Sequence, residues 1–159
     1  YLWRVAGIVG LATLDILGVK GPCAKELAQR LGFAVQSTNI IRDVYDDVQL
    51  NRVYLPQDLL EKYGLTRQKV LNGANAKALA PALEEMATQS KEFYRLACQT
   101  MKGLAYWQML PCRIMGHVYR ANLAKIEKSG FSFSCSIKLT KFEKLVNCIY
   151  ALFKTDFND

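Results

Sequence analysis

The stretch QSTNIIRDVYDDVQLNRVYLP, residues 36–56 of a 159-residue chain, decides the fold. At roughly 100° per residue on a helix, Gln36, Asn39, Asp43, Asp46 and Asp47 share one arc, and Ile40, Ile41, Val44 and Val48 share the next. A polar stripe therefore runs beside an apolar one. Carboxylates stacked at i, i+3 and i+4 cost a bare helix about 0.2–0.5 kcal/mol per pair, so such a stripe calls for a cation or a basic partner. An oxygen-only set suits Mg²⁺ or Mn²⁺, not zinc. Mg²⁺ is commonly held by one or two carboxylates and completed by water and substrate phosphates, which makes a phosphorylated ligand the natural third party. The spacing alone leaves a solvated acidic face equally open.

Working outward, the composition is that of a globular protein, with 51% hydrophobic residues, and the length fits one all-α domain over residues 1–159. The net charge of +7 suits nucleic acid, an anionic membrane surface or a diphosphate substrate. The basic residues are spread along the chain and no nucleic-acid-binding pattern occurs, so nucleic acid is the least favoured of the three. Five cysteines, at 23, 98, 112, 135 and 148, form no CxxC, and His117 is the single histidine. That pattern argues against a cysteine/histidine metal site and a disulfide framework, and for buried thiols in a reducing, cytoplasmic setting. The longest apolar stretch, Val5 to Val19, carries Asp15 and three glycines and is too short to span a bilayer.

Every segment reads as helix. Tyr1 to Leu17 is expected to form a buried helix with small residues Ala6, Gly7 and Gly10 at spacings of three and four. Tight helix packing and close approach of a ligand both explain them. Pro22 opens a long helix to about Leu50, interrupted at Asn51. Short helices follow at 56–63 and 66–72. Pro81 is expected to start the next helix at Ala82, running to Thr100 and continuing past Gly103 to Met109. Pro111 opens another, stopped at Ser129-Gly130, and Thr140-x-x-Glu143 forms a capping box for a terminal helix. Lys141, Lys144 and Lys154 around that helix's apolar stripe suit peripheral association with an anionic membrane, core packing being the commoner fate. His117 is expected at a surface or capped position.

Three separated blocks carry a resemblance. Tyr1-x-x-Arg4-Val5-Ala6-Gly7-x-Val9-Gly10, then Leu31-Gly32-x-Ala34-x-Gln36-x-Thr38-Asn39-Ile40-x-Arg42-Asp43-Val44-x-Asp46-Asp47, then Arg52-Val53-Tyr54-Leu55-Pro56, together resemble the squalene/phytoene synthase family, and within it the bacterial presqualene diphosphate synthases. Weaker similarity runs through Met115-Gly116-x-x-Tyr119-Arg120 and Ile126-Glu127-x-x-Gly130-Phe131. The resemblance implies a helical bundle of the isoprenoid synthase type, incomplete at its N-terminus because only one of the family's two aspartate-rich motifs is present.

It further implies head-to-head condensation of two prenyl diphosphates, with Mg²⁺ (or Mn²⁺) on Asn39, Asp43 and Asp47. Substrate contacts would come from Gln36, Arg42, Arg52 and Tyr119, and Tyr1 would lie beside the reacting carbons. The residues themselves also admit surface ion pairs for the two arginines and packing for both tyrosines. The sequence departs from the family at Asn51, where glycine is usual, at Asp46, where glutamate is more common, and near Lys138, which stands where an arginine is usual. No GxGxxG is present, and use of NADPH stays open. Phytoene or dehydrosqualene formation is the same-class alternative. A non-catalytic scaffold is the different-class one, disfavoured by retention of Gln36, Asn39, Asp43 and Asp47 together. By this reading the 159-residue chain alone is expected to be inactive.

Overall fold

A 29-residue helix, α2 (Gly21–Gln49), is the axis of the molecule. The structure, a computed structural model, describes residues 1–73, 76–131 and 137–157, and every regular element among them is helical. A π-helical turn (Trp3–Gly7) leads into α1 (Ile8–Ile16); after α2 come α3 (Gln57–Lys62), α4 (Arg67–Leu71), α5 (Ala76–Met101), α6 (Leu110–Lys128) and α7 (Lys141–Tyr150). Cys135 lies outside the described residues, and the four other cysteines are free thiols.

Local chemistry sets the ends of α2. Gly21 at φ +77 turns the chain in and Pro22 occupies the first turn, where its missing N–H costs nothing. At the other end Asn51 takes φ +58, and Arg52 N–H reaches Asp47 O (2.8 Å) while Asn51 N–H reaches Val48 O (3.0 Å). This double return closes the helix as a Schellman motif, with asparagine supplying the left-handed residue. It also folds Arg52 back beside Asp47.

α2 packs chiefly on α5, with the π-turn, α1 and α6 on its remaining sides. Along α5 the contact is tight because small side chains line it: Ala34 on α2 and Ala82, Ala87 and Ala97 on α5 are all fully buried. Inside that interface Thr38 Oγ1 donates to Ala34 O (2.9 Å) and meets Tyr94 Oη (3.0 Å) and Ser90 Oγ (3.3 Å), and Ser90 Oγ also donates to Ala34 O (2.9 Å). Burial pushes the Tyr94 hydroxyl far above its ordinary pKa, with the Thr38 bond opposing. On the far side of α2 a Cβ at Gly32 would come within 3.2 Å of the Ala6 carbonyl, and one at Gly10 within 3.4 Å of Ala28. Glycine is what lets these backbones approach.

Four expectations need correction. Pro81 does not start its helix; it sits inside α5, which begins at Ala76, because burial of Leu79 holds the preceding turn against the core despite the missing N–H. α5 stops at Met101, and turns span the residues to Met109, with Gly103 on open ground. The first helix is largely exposed, not buried, with Val9 at 63% and Ile16 at 86%, and it is π-wound over Trp3–Gly7, where a side chain at Gly7 would run into the Trp3 ring. His117 is buried, not on the surface. Its ring meets Phe157 edge-on at 5.3 Å, its Nε2 lies 3.4 Å from Lys154 O, and burial lowers its pKa. The capping box at Thr140 is present in full: Glu143 N–H donates to Thr140 Oγ1 (3.2 Å) and Thr140 N–H to Glu143 Oε2 (2.6 Å).

Candidate active site

Two cavities follow one another along α2. The first, about 320 Å³ and almost wholly apolar, lies between the N-terminal helix, the first half of α2 and the start of α6. Val5, Ala6, Val9 and Gly10 form one wall, Leu27, Leu31 and Val35 a second, and Cys112 and Met115 a third; Gln36 is a polar member at the edge. The small residues thus serve both readings, helix packing at Gly7 and cavity wall at Ala6 and Gly10. The second cavity, about 370 Å³, is basic, bordered by Arg42, Tyr119, Asn122, Lys138 and Lys144. Met115 borders the first cavity and Tyr119, one turn on, the second. Asn39 lies on α2 between Gln36 and Arg42.

Asn39 is the point of tension. Its Nδ2 donates weakly to Gln36 Oε1 (3.4 Å), but its Oδ1 is buried with no hydrogen-bond partner. A buried amide oxygen without a donor costs about 1–3 kcal/mol, so its retention beside two carboxylates fits an oxygen-liganding cation. Among the described residues no three His, Cys, Asp or Glu side chains converge on one point; the donor set is Asp43, Asp47 and this amide. Asn39 and Asp47 stand eight residues apart, about 12 Å along the axis, so they do not share one ion. The stripe divides into the pairs Asn39/Asp43 and Asp43/Asp47.

The charges here are unequal. Asp43 is clasped by Arg42 through Nε (2.7 Å) and Nη2 (2.5 Å), both partly buried. That pair, with an added contact to Tyr119, raises the Arg42 pKa against the opposing effect of burial. Arg42 is therefore both things expected of it, ion-paired to a neighbouring aspartate and on the wall of a basic pocket. Asp46 pairs with Lys138 (3.4 Å), which brings the 137–140 segment against α2. Asn122 fixes that segment, donating to Ile137 O (3.3 Å) and accepting from Leu139 N–H (3.0 Å). Asp47 has its pKa raised, first by burial and then by Asp43 and Asp46, with Arg52 pulling the other way. Tyr1, exposed, stacks on Tyr54 at 5.5 Å, and its hydroxyl pKa is raised by burial, Tyr54 and Asp47. Tyr1 is thus brought near Asp47, with Arg52 beside it, and Tyr119 near Arg42 and Asp43, while Gln36 and Asn39 lie further along α2. Sequence reasoning missed Asn122 and Lys144. Asn122 was findable at three residues beyond Tyr119 on the same helix face.

A family model described as squalene/phytoene synthase matches residues 1–143. The chain belongs to the squalene/phytoene synthase family. It is 34% identical over 130 residues to the 15-cis-phytoene synthase of Enterobacter agglomerans, covering 82% of this chain and 44% of that protein. With the presqualene diphosphate synthase of Rhodopseudomonas palustris it shares 32% over 146 residues, covering 91% and 52%. A crystal structure of a dehydrosqualene synthase superposes with a TM-score of 0.75 at 24% identity, covering 96% of this chain and 54% of that one. The squalene synthase HpnC from Alicyclobacillus acidocaldarius also gives 0.75, at 20% identity, covering 83% and 50%. These two show the all-helical isoprenoid synthase-type fold. The chain spans about half the length of the relatives it matches.

Proposed function

We propose that this chain supplies half the active site of an enzyme that joins two prenyl diphosphates head to head, taking farnesyl diphosphate to presqualene diphosphate. One observation carries the reading: an apolar cavity, a stripe with a partnerless amide oxygen and two carboxylates, and a basic pocket succeed one another along α2. That order matches an amphiphile with an apolar tail and a diphosphate head.

The tail lies against Val9, Leu31 and Met115, where apolar walls keep water from a carbocation. Mg²⁺ or Mn²⁺ ions, held by the pairs Asn39/Asp43 and Asp43/Asp47, would supply charge neutralisation of the leaving diphosphate. Arg42, which clasps Asp43 and borders the basic pocket, would offer its fork to phosphate oxygens, as Lys138 and Lys144 would offer single charges. Tyr1, steadied by Tyr54, offers the negative face of its ring to a cation. Phytoene or dehydrosqualene formation uses the same parts with another chain length or later step, and the 34% identity to a phytoene synthase keeps it as the second reading. Substrate and product are lipids in either case, which accords with a cytoplasmic protein peripheral to a membrane. No described helix is long and apolar enough to cross one.

The test is Asp43→Asn in the full-length protein. Turnover of farnesyl diphosphate, followed by diphosphate release, should fall at least about 100-fold, as for loss of a transition-state charge contact. Melting should move little, since a partly exposed ion pair contributes about 1 kcal/mol or less. Unchanged turnover refutes the assignment. The 159 residues alone should release no diphosphate, because Val5 and Val9 on the cavity wall stand 42% and 63% exposed and leave the cavity open to water.

A further inference from the structure

The apolar cavity is open at Gln36 and closed at its other end, and the residues that close it limit the length of tail it can take. Along α2 its lining runs back from Gln36 through Val35, Gly32, Leu31 and Ala28 to Leu27, from residue 36 to residue 27, or about 13.5 Å of helix axis. α1 runs the other way beside it, Ala6 meeting Gly32 and Gly10 meeting Ala28. The last lining residues at the far end are therefore Leu14 on α1 and Leu27 on α2, and both side chains are wholly buried.

That end is also tied shut. Val19 N–H returns to Leu14 O (2.8 Å), and Gln108 Nε2 donates to Leu17 O (2.5 Å), which fastens the end of α1 to the turn before α6. Cys112, in the first turn of α6, completes the wall there. A buried leucine pair held between fastened helices is close-packed and yields little to an added group.

We propose that Leu14 and Leu27 are a chain-length stop, admitting a farnesyl tail and turning back a geranylgeranyl one. The longer tail carries one more isoprene unit, a length of the order of one helical turn, about 5.4 Å. By that measure the lining holds between two and three units, with the head of the tail reaching past Gln36 to the acidic stripe, and a fourth unit meets the two leucines. The proposal rests on the prenyl-transferase reading and narrows it: the stripe and the basic pocket serve either substrate alike, and depth alone separates them.

The experiment offers the full-length protein an equal mixture of farnesyl and geranylgeranyl diphosphate with Mg²⁺ and sorts the products by chain length. Both substrates compete for the same folded molecules, so the product ratio is independent of how much of a variant folds. Wild type should favour the farnesyl-derived product by about 100-fold or more, and Leu14→Ala and Leu27→Ala should each raise the geranylgeranyl share at least about tenfold, since even one methylene in an apolar pocket commonly discriminates by that much. The milder Leu14→Val and Leu27→Val should move the ratio the same way by less. Val35→Ala trims the same lining near its mouth and should leave the ratio alone. A wild type indifferent to length, a ratio unmoved in the leucine variants, or an equal change in Val35→Ala overturns the stop. Calorimetric binding of the unreactive farnesyl and geranylgeranyl thiodiphosphates reads tail length without the reaction. A farnesyl preference in binding that Leu27→Ala abolishes, with turnover in no protein, keeps the stop and sinks the prenyl-transferase reading. Turnover without length preference does the reverse, and binding of neither analogue overturns both.

Discussion

Thr38 and Asn39 are neighbours on α2 and live in opposite worlds. Thr38 turns to α5, where its hydroxyl, Ser90 and Tyr94 close a set of hydrogen bonds on the Ala34 carbonyl, fully buried. Asn39, about 100° round the helix, turns to the side where its own oxygen has no partner, burial and neighbouring carboxylates raise the Asp47 pKa, and apolar side chains stand in the open. One side of the helix is finished by the fold itself. The other is organised for something the fold does not contain, and polar groups left at a cost mark where that is.

The comparison breaks most visibly if the finished side is cut. Leu83 is 1% exposed on α5, and Leu83→Ala should cost about 2–5 kcal/mol through lost burial and a residual cavity. Thermal or urea unfolding measures it. If the α2–α5 side is the stability core, no substitution on the cavity wall, such as Val9→Ser at 63% exposure, should approach that loss. A comparable loss for Val9→Ser would erase the distinction.

A finer cut goes through the hydroxyl set. Thr38→Val keeps the shape and leaves the buried Tyr94 hydroxyl without a side-chain acceptor, at an expected cost of about 1–3 kcal/mol. Adding Tyr94→Phe should recover most of that, because removing both partners of a buried bond is close to neutral whereas orphaning one is not. A double-mutant cycle by chemical unfolding decides it. Additive losses would mean that the two hydroxyls are not coupled.

The sequence made these two sides unequally legible. The acidic stripe, the Asn51 turn, the Thr140 capping box and the helical class follow from local spacing, which a single helix repeats without reference to its neighbours. Pro81 misled because its local preference for a helix start lost to burial of Leu79, a tertiary effect. Part of the partition of the aspartates was hidden for the same reason. That Lys138 takes Asp46 depends on segments 92 residues apart meeting, whereas Arg42 holds the adjacent Asp43 and Arg52 acts on Asp47 five residues away, both within reach of local reading. The basic pocket likewise needed α6 and the 137–140 segment to be placed before Asn122 and Lys144 showed a role.

The smallest expected effect is also the most direct probe of the unfinished side. Burial, then Asp43 and Asp46, raise the Asp47 pKa above that of the unfolded chain, against the pull of Arg52. A carboxyl shifted in this direction binds its proton more tightly when folded. Its contribution to stability is therefore present below the ordinary carboxylate range and lost as pH rises through the folded value. At pH 7 the charged side chain works against the fold, and Asp47→Asn should raise the melting temperature of the full-length protein slightly. The gain stays under about 1 kcal/mol, since the group is partly exposed and screened. The difference should close as pH falls to about 4, where the unfolded carboxylate also takes up its proton. Magnesium then separates the two explanations of the strain. If the stripe awaits a cation, adding Mg²⁺ should raise the melting point of the wild type and leave Asp47→Asn nearly unmoved, reversing their order at pH 7. If both proteins respond alike, Asp47 is only a crowded surface charge, and the partnerless Asn39 oxygen loses its proposed companion.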